Sequence, residues 1–178
     1  LIFISATFIY GIRSLIFHIG AAIERRRSFA EKVIDEYPFV SVIVPARNEE
    51  ENITACIDSL AANFYPRDKF EIIAVNDRSE DSTAEIMNKL EERYSNLKIV
   101  HVEDESSDKN LQGKPGALQH GIDRAQGDII CMTDADCIVN PNWINRIVKE
   151  FTDKDISIVA SYTEIIGDTF FRNVQEAE

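Results

Sequence analysis

The chain has 178 residues, enough for one domain with a hydrophobic core. Its formal net charge of -12 at pH 7 disfavours nucleic-acid binding, because a nucleic-acid-binding protein needs a basic face to neutralise phosphates. Its three cysteines are an odd number without zinc-type spacing, which predicts a reduced, cytosolic setting rather than a disulfide framework.

The N-terminal segment has the composition of a membrane anchor. Residues 1–23 are mostly apolar, and Glu24-Arg25-Arg26-Arg27 follows directly. A membrane span needs about 20 apolar residues, and a basic cluster at its end marks the cytoplasmic side. We predict an anchor helix over 1–23, a basic juxtamembrane linker over 24–38 and a cytosolic domain over 39–178 at the cell membrane. Because Arg13 and His18 interrupt the apolar run, a transmembrane helix and an interfacial helix both stay open.

Apolar runs with strand and helix spacing alternate from residue 39 onwards. Strands are predicted over 39–44, 70–75, 97–102, the run from Ile129 that stops at Asp134, and 156–161. The helices between them are predicted to begin at caps such as Asn48, Asp81 or Ser82, and Asn140-Pro141, with a further helix over 115–125. This alternation predicts an α/β fold with a mainly parallel sheet covered by helices on both faces.

Polar and acidic residues follow the predicted strand ends. Asn48 and Glu49 follow the first strand, Asp77 follows the second, and Asp134 and Asp136 follow the fourth. In a parallel sheet the carboxyl ends of the strands share one edge, which is where such sheets bind ligands. We therefore expect these residues to converge on one crevice.

The residue types in that crevice suit a metal and a phosphorylated ligand. Asp134 and Asp136 can share Mg²⁺ or Mn²⁺, which prefer carboxylate oxygen and take further ligands from water and substrate phosphates. Asp77 suits a ribose hydroxyl or a base edge. Lys114 opens a helix, where a cation and free N–H groups favour an anion. Neither GxGxxG nor GxxxxGK[ST] occurs, which argues against a dinucleotide fold and a P-loop.

Four ordered blocks resemble a known family. They are VSVIVPARNE from Val40, IAVNDRSEDST from Ile73, GKPGALQHG from Gly113 and GDIICMTDAD from Gly127. Together they resemble family 2 glycosyltransferases with the GT-A (Rossmann-like) fold. They are most similar to the membrane-anchored, cellulose synthase-like branch that includes poly-N-acetylglucosamine synthases. The family more often shows two aspartates and a glycine where this chain has Asn76-Asp77-Arg78.

The resemblance implies a metal-assisted, inverting transfer of a sugar from a nucleotide-sugar donor to a polysaccharide or lipid acceptor. We expect the donor to be a UDP-sugar. It implies that a nucleoside pocket is lined by Pro45, Ala46, Arg47, Asn48 and Glu49. Asp77 would contact uracil or ribose, and Lys114 would lie near the diphosphate. Asp134-Ala135-Asp136 would be the DxD motif, with Asp136 on Mg²⁺ or Mn²⁺ and Asp134 on metal or sugar.

The resemblance also implies a catalytic carboxylate well downstream of the DxD block, and we expect it beyond Glu178. Glu164 is too close to the DxD strand for that role. The chain is therefore expected to be the donor-binding, N-terminal part of such an enzyme, truncated at its C-terminal side and not competent alone.

Two other functions compete with this interpretation. A non-catalytic sugar-nucleotide-binding module would need the same pocket but no base. A haloacid-dehalogenase-type phosphatase also ends a strand in Asp-x-Asp, with the first aspartate as nucleophile. That motif normally opens the first strand of its domain, whereas Asp134 follows three complete strand–helix units. Taken singly, Asp77 would be a turn cap, Lys114 a solvated charge, and Asn48 and Glu49 an ordinary helix start. Taken together with Asp134 and Asp136, these residues favour a site.

Overall fold

The computed structural model describes residues 34–103 and 113–161, where strands and helices alternate. The elements are β1 (Val40–Ala46), α1 (Ile53–Ala61), a 3-10 turn (Arg67–Lys69), β2 (Phe70–Asn76), α2 (Thr83–Arg93), β3 (Leu97–His101), α3 (Lys114–Ile122), β4 (Ile129–Met132) and α4 (Trp143–Glu150). The predicted membrane anchor, the linker up to residue 33 and Glu164 lie outside the described residues. Within the described ranges no helix combines the length and apolarity needed to cross a bilayer.

The four strands form one sheet in the order β3-β2-β1-β4, and each described pair is parallel. The two central strands carry apolar residues at almost every position, and both are nearly completely buried. Strands buried on both faces read as continuous apolar runs, as expected for a parallel sheet between helices. The predicted α/β class with a mainly parallel, helix-flanked sheet is confirmed.

Alternation along the strands divides the core into two layers. Even-numbered residues of β1 and β2, such as Val42 and Ile72, pack with α1, α2 and α4. Odd-numbered residues, Ile43, Ile73 and Val75, pack with Ala117 of α3. Because successive side chains of a strand point to opposite faces, one apolar run supplies both layers.

The amino-terminal edge of the sheet is closed by a buried polar network. The Glu71 carboxylate accepts hydrogen bonds from Ser41 Oγ (2.7 Å), Lys98 Nζ (2.7 Å) and the Gln126 N–H (2.9 Å). Burial by itself raises the pKa of the Glu71 carboxyl, but these hydrogen bonds and the Lys98 charge hold the pKa below its ordinary value. The network fixes the segment between α3 and β4 against the sheet.

Three predicted boundaries are corrected. Helix α1 begins at Ile53 rather than beside Asn48, because the N–H of Ile53 bonds to the carbonyl of Glu49 and Asn48 is used elsewhere. Helix α4 begins at Trp143, since Asn140 uses its side chain and carbonyl to close a turn onto Asn142 and Trp143. Strand β1 continues to Ala46, so Pro45 and Ala46 lie within the strand rather than after it.

The predicted fifth strand over 156–161 is wrong. These residues have no regular secondary structure, and Ile158 is largely exposed. Their β-branched composition favours a strand, but a strand forms only where a neighbour receives its backbone hydrogen bonds.

Candidate functional site

Three of the four strands end at one level along the carboxyl edge of the sheet. Ala46 lies opposite Asn76, and Asn76 lies opposite His101. The Asp77 N–H donates to the carbonyl of Ala46 at 2.8 Å, which continues the ladder one residue beyond β2. Strand β4 ends three residues earlier in the register, where Met132 lies opposite Ile43 and the Thr133 N–H donates to the carbonyl of Ile43 at 3.2 Å. All four strands are parallel, so the residues that follow them leave the sheet at the same edge, as expected from the sequence.

The loops after β1 and β2 are tied together by hydrogen bonds. The Asn48 N–H donates to Ser79 Oγ at 3.0 Å, and Asn48 Oδ1 accepts from the Glu80 N–H at 2.8 Å. The Glu49 N–H donates to Thr83 Oγ1 at 2.8 Å, at the start of α2. Asn48 has φ 57°, in the left-handed region that asparagine tolerates better than most residues. Asn48 therefore joins the loops after β1 and β2 and does not cap a helix.

Asp77 is buried and held by its neighbour. The guanidinium of Arg78 contacts Asp77 Oδ1 through Nε at 2.9 Å and through Nη2 at 2.8 Å. The Asp77 side chain is 6% exposed and that of Arg78 is 23% exposed. Arg78 has φ 53°, a backbone conformation that glycine adopts most readily. This explains why the resembling family favours glycine at this position.

Lys114 and Asp134 come together from distant parts of the chain. Lys114 is the first residue of α3, and its Nζ lies 2.6 Å from Asp134 Oδ1 in the loop after β4. Both side chains are more than half exposed, at 57% and 55%. An exposed ion pair of this kind contributes at most about 1 kcal/mol. A ligand that binds either partner can therefore displace the pair readily.

The aspartate pair fits a metal that is completed by its substrate. Asp134 and Asp136 are exposed on either side of buried Ala135. No group of three or more metal-ligating side chains occurs in the part of the chain that the structure describes. Mg²⁺ is usually held by one or two carboxylates plus water and substrate phosphates. Two exposed carboxylates beside a lysine therefore match a metal–diphosphate site better than a closed structural metal site.

Cys56 of α1 supports the loop that carries these aspartates. Its Sγ lies 3.5 Å from the carbonyl oxygen of Asp134. Burial, together with Cys137 and nearby carboxylates, raises the pKa of the Cys56 thiol to about 12, so the group stays a neutral donor. Burial likewise raises the pKa of Cys131 to about 12 in the core. Cys56 therefore belongs to the hydrophobic core and also contacts the loop that carries the aspartates.

The predicted site residues fall into two groups. One holds the residues of β1 and its loop that were predicted to line a nucleoside pocket, together with Asp77; Ala46 is buried, Pro45 and Glu49 are half-buried, and Arg47 and Asn48 are exposed. The other holds Lys114, Asp134 and Asp136. Sequence reasoning missed Arg78, Asn76, Ser79 and His101 as parts of the first group. The Asn76–Ser79 turn was detectable, because asparagine and serine often bond to nearby backbone groups.

Residues 41–177 match the family described as Glycosyl transferase family 2. One curated relative is the Beta-monoglucosyldiacylglycerol synthase of Nostoc sp., which is 30% identical over 174 residues, 97% of this chain and 36% of the relative. The chain spans less than half the length of the first curated relatives that it matches.

Two solved structures show the same fold over most of this chain. S. aureus TarS 1-349 in complex with UDP-GlcNAc matches with a TM-score of 0.53 and 32% identity, over 65% of this chain and 31% of that chain. Mannosyltransferase PcManGT from Pyrobaculum calidifontis, in complex with GDP-Man and Mn2+, matches with a TM-score of 0.58 and 28% identity, over 80% of this chain and 43% of that chain. On this evidence the chain is a member of glycosyl transferase family 2.

Proposed function

We propose that this chain binds a nucleotide sugar, with uridine as the nucleoside, together with Mg²⁺ or Mn²⁺ at the carboxyl edge of its sheet. The protein it belongs to then transfers the sugar, with inversion, to a saccharide or lipid acceptor. The contact between Lys114 Nζ and Asp134 Oδ1 carries the proposal. It brings a cation at a helix N-terminus beside the DxD loop, where a diphosphate and a metal would meet.

Each group of the site has a distinct role in this proposal. The loop after β1 and Asp77 receive the nucleoside, with Asp77 as hydrogen-bond acceptor for the base or ribose. Asp136 and Asp134 would hold the metal, and a bound metal would supply stabilisation of negative charge on the diphosphate leaving group. Lys114, once separated from Asp134, faces the diphosphate, and the free N–H groups of the first turn of α3 support the same charge.

Support for a uridine donor comes from TarS, whose structure contains UDP-GlcNAc, while PcManGT contains GDP-Man. Support for a metal comes from the Mn2+ in the PcManGT complex. The name of the Nostoc sp. relative includes a diacylglycerol product, which favours a lipid acceptor over a soluble one. A membrane location suits such an acceptor and the apolar run over 1–23.

The first prediction concerns metal-dependent donor binding by the full chain. Titration calorimetry should detect UDP binding in the presence of Mg²⁺ or Mn²⁺ and weaker binding when the metal is chelated. Asp136→Asn should lose at least about tenfold in metal-dependent affinity, because it removes a charged metal ligand. GDP titrated in parallel tests the choice of uridine.

Asp68→Asn is the matched control, since Asp68 is exposed in the 3-10 turn before β2, at the other edge of the sheet. It should bind UDP as the unaltered chain does. Equal metal-dependent affinity in Asp136→Asn and the unaltered chain would remove the DxD assignment. If neither the unaltered chain nor any variant binds a nucleotide, the proposed function is wrong.

A further inference from the structure

His101 and Asn76 join the ends of two neighbouring strands. His101 ends β3, Asn76 ends β2, and the two are paired across the ladder. Asn76 Nδ2 lies 3.2 Å from His101 Nδ1, and His101 Nε2 lies 3.1 Å from Asn88 Oδ1 on α2. Asn76 is 6% exposed, whereas His101 and Asn88 are exposed. A solvent-accessible imidazole thus contacts a buried amide beside Asp77.

The direction of each hydrogen bond follows from one backbone donor. The Ser79 N–H lies 3.2 Å from Asn76 Oδ1, and a backbone N–H can only donate. The amide oxygen of Asn76 therefore faces Ser79, and its NH₂ group faces His101. His101 Nδ1 must then accept, so its proton is on Nε2, where it is donated to Asn88. The arrangement requires a neutral imidazole of one tautomer.

The same turn carries the nucleoside-pocket residues. Asn76 and Ser79 bracket Asp77 and Arg78, and Ser79 Oγ accepts from the Asn48 N–H at 3.0 Å. One line of hydrogen bonds therefore runs from His101 through Asn76 and Ser79 to the loop after β1. A change at the imidazole reaches both loops of the pocket through Asn76.

We propose that His101 is a positioning residue for the nucleoside pocket and that it makes donor affinity depend on pH. This inference rests on the proposed function, because it concerns the same pocket. Protonated His101 presents an N–H to the NH₂ group of Asn76, and two donors cannot bond to each other. The Asn76 amide must turn, which removes the acceptor from the Ser79 N–H and loosens the turn that holds Asp77. The neutral form binds the donor more tightly.

The neighbouring elements bring other charged side chains towards His101, and most have defined partners. Glu85 and Lys89 of α2 pair with each other, and Glu91 accepts from the Ile99 N–H. Charged residues on α2, β2 and β3 are Glu71, Glu85, Lys89, Glu91, Glu92, Arg93 and Lys98, and Asp77, Arg78 and Glu103 follow the strand ends. Carboxyl, ammonium and guanidinium groups ordinarily keep their charge between about pH 5.5 and 7.5, whereas histidine titrates there. Helix α3, with His120, packs on the other face of the sheet.

UDP-glucose binding to the full chain, at saturating Mg²⁺ and at about pH 5.5 and 7.5, tests the inference. A UDP-sugar is the right probe, because the terminal phosphate of free UDP titrates near pH 6 and its diphosphate diester does not. The unaltered chain should bind about three- to tenfold more weakly at the lower pH, which corresponds to one lost hydrogen bond. His101→Asn keeps an acceptor near the Nδ1 position without titrating, so its affinity should be similar at both pH values.

His120→Asn is the matched control, because His120 is exposed on α3, away from the hydrogen bonds that join His101, Asn76 and Ser79. It should keep the pH dependence of the unaltered chain. His101→Lys places a permanent donor at this position and should bind weakly at both pH values. Equal pH dependence in His101→Asn and the unaltered chain would overturn the inference, and so would a pH-independent unaltered chain.

A second measurement needs no ligand. In the ¹⁵N-serine-labelled full chain, the Ser79 amide resonance, assigned with Ser79→Ala, should shift with the same midpoint as the His101 ring. A Ser79 resonance that does not follow His101 would show that the protonated imidazole leaves Asn76 without disturbing the Asn76–Ser79 hydrogen bond. That result would contradict the inference. If no variant binds UDP-glucose at either pH, the proposed function fails, while the Ser79 titration still decides whether His101 controls this turn.

Discussion

Two residues in the loops after β1 and β2 hold left-handed backbone conformations and compensate with their side chains. Asn48 (φ 57°) and Arg78 (φ 53°) lie just after β1 and β2. Such a conformation costs an L-residue roughly 1–2 kcal/mol. Asn48 Oδ1 accepts a hydrogen bond from the Glu80 N–H, and the Arg78 guanidinium forms an ion pair with Asp77. The strain is retained where two loops turn sharply at the carboxyl edge of the sheet.

Substitutions of Asn48 separate the contributions of its backbone conformation and of its side chain to the stability of the fold. Asn48→Gly removes the hydrogen bond to Glu80 but suits φ 57°, whereas Asn48→Ala removes the bond and keeps the strain. Asn48→Ala should therefore be less stable than Asn48→Gly by about 1 kcal/mol. Urea unfolding followed by the fluorescence of Trp143, the single tryptophan, measures the difference. Equal stabilities of the two variants would contradict a strained Asn48.

Helix α3 connects the core to the Lys114–Asp134 pair, where we propose that the diphosphate binds. Its inner face carries small residues, Gly116, Ala117 and Gly121, all buried. A Cβ on Gly121 would lie 2.5 Å from Cγ2 of Ile43, so the helix lies directly on β1. The first residue of the same helix, Lys114, contacts Asp134. The spacing between α3 and the sheet therefore sets the position of the lysine ammonium.

Gly121→Ala should disturb both stability and the site. The added methyl group must push α3 away from Ile43, which we expect to cost about 1–3 kcal/mol of stability, as overpacking does in well-packed cores. UDP affinity should fall as well, because Lys114 moves with the helix. The adjacent exposed residue provides the control: His120→Ala should change neither property. Unchanged urea unfolding of Gly121→Ala would show that α3 adjusts without strain.

The carboxyl edge and the amino edge of the parallel sheet have different roles. The carboxyl edge collects exposed charges, loops and strained turns, which suits ligand binding. The amino edge buries a carboxylate in a saturated network of Ser41, Lys98 and Gln126. Gly127 belongs to this closure, because a Cβ there would collide with the backbone nitrogen of Ser41. A rigid amino edge supports the strands whose other ends form the site.

Glu71 should make the stability of the fold depend on acid pH. Its pKa is lowered in the folded state, so its contribution is present above the pKa of the unfolded chain and is lost as pH falls through the folded pKa. Glu71→Gln should destabilise the chain by about 1–3 kcal/mol at neutral pH, since buried partners lose a charged acceptor.

The difference between Glu71→Gln and the unaltered chain should shrink below about pH 4. Urea unfolding as a function of pH measures it, with Glu92→Gln on the exposed face of α2 as control. A difference that stays constant down to acid pH would show that Glu71 does not supply this dependence.

Local patterns in the sequence determined the fold class and the location of the site. The strand and helix runs and the placement of Glu49, Asp77 and Asp134 at one edge of the sheet were predictable. Periodicity reports which face of an element is buried, and parallel strands necessarily bring their carboxyl ends together. Four short blocks in the right order also identified the family that the match over residues 41–177 showed.

Only the tertiary structure decided how the loops at that edge hold each other. Asn48 is read locally as a helix cap, yet it bonds to Glu80 on the neighbouring loop. The residues at 156–161 have strand composition but no partner strand in the described chain. The relay from His101 to Asn76 joins side chains 25 positions apart. These contacts depend on strand order and register, which place distant residues side by side, and no local pattern records which residue will be the neighbour.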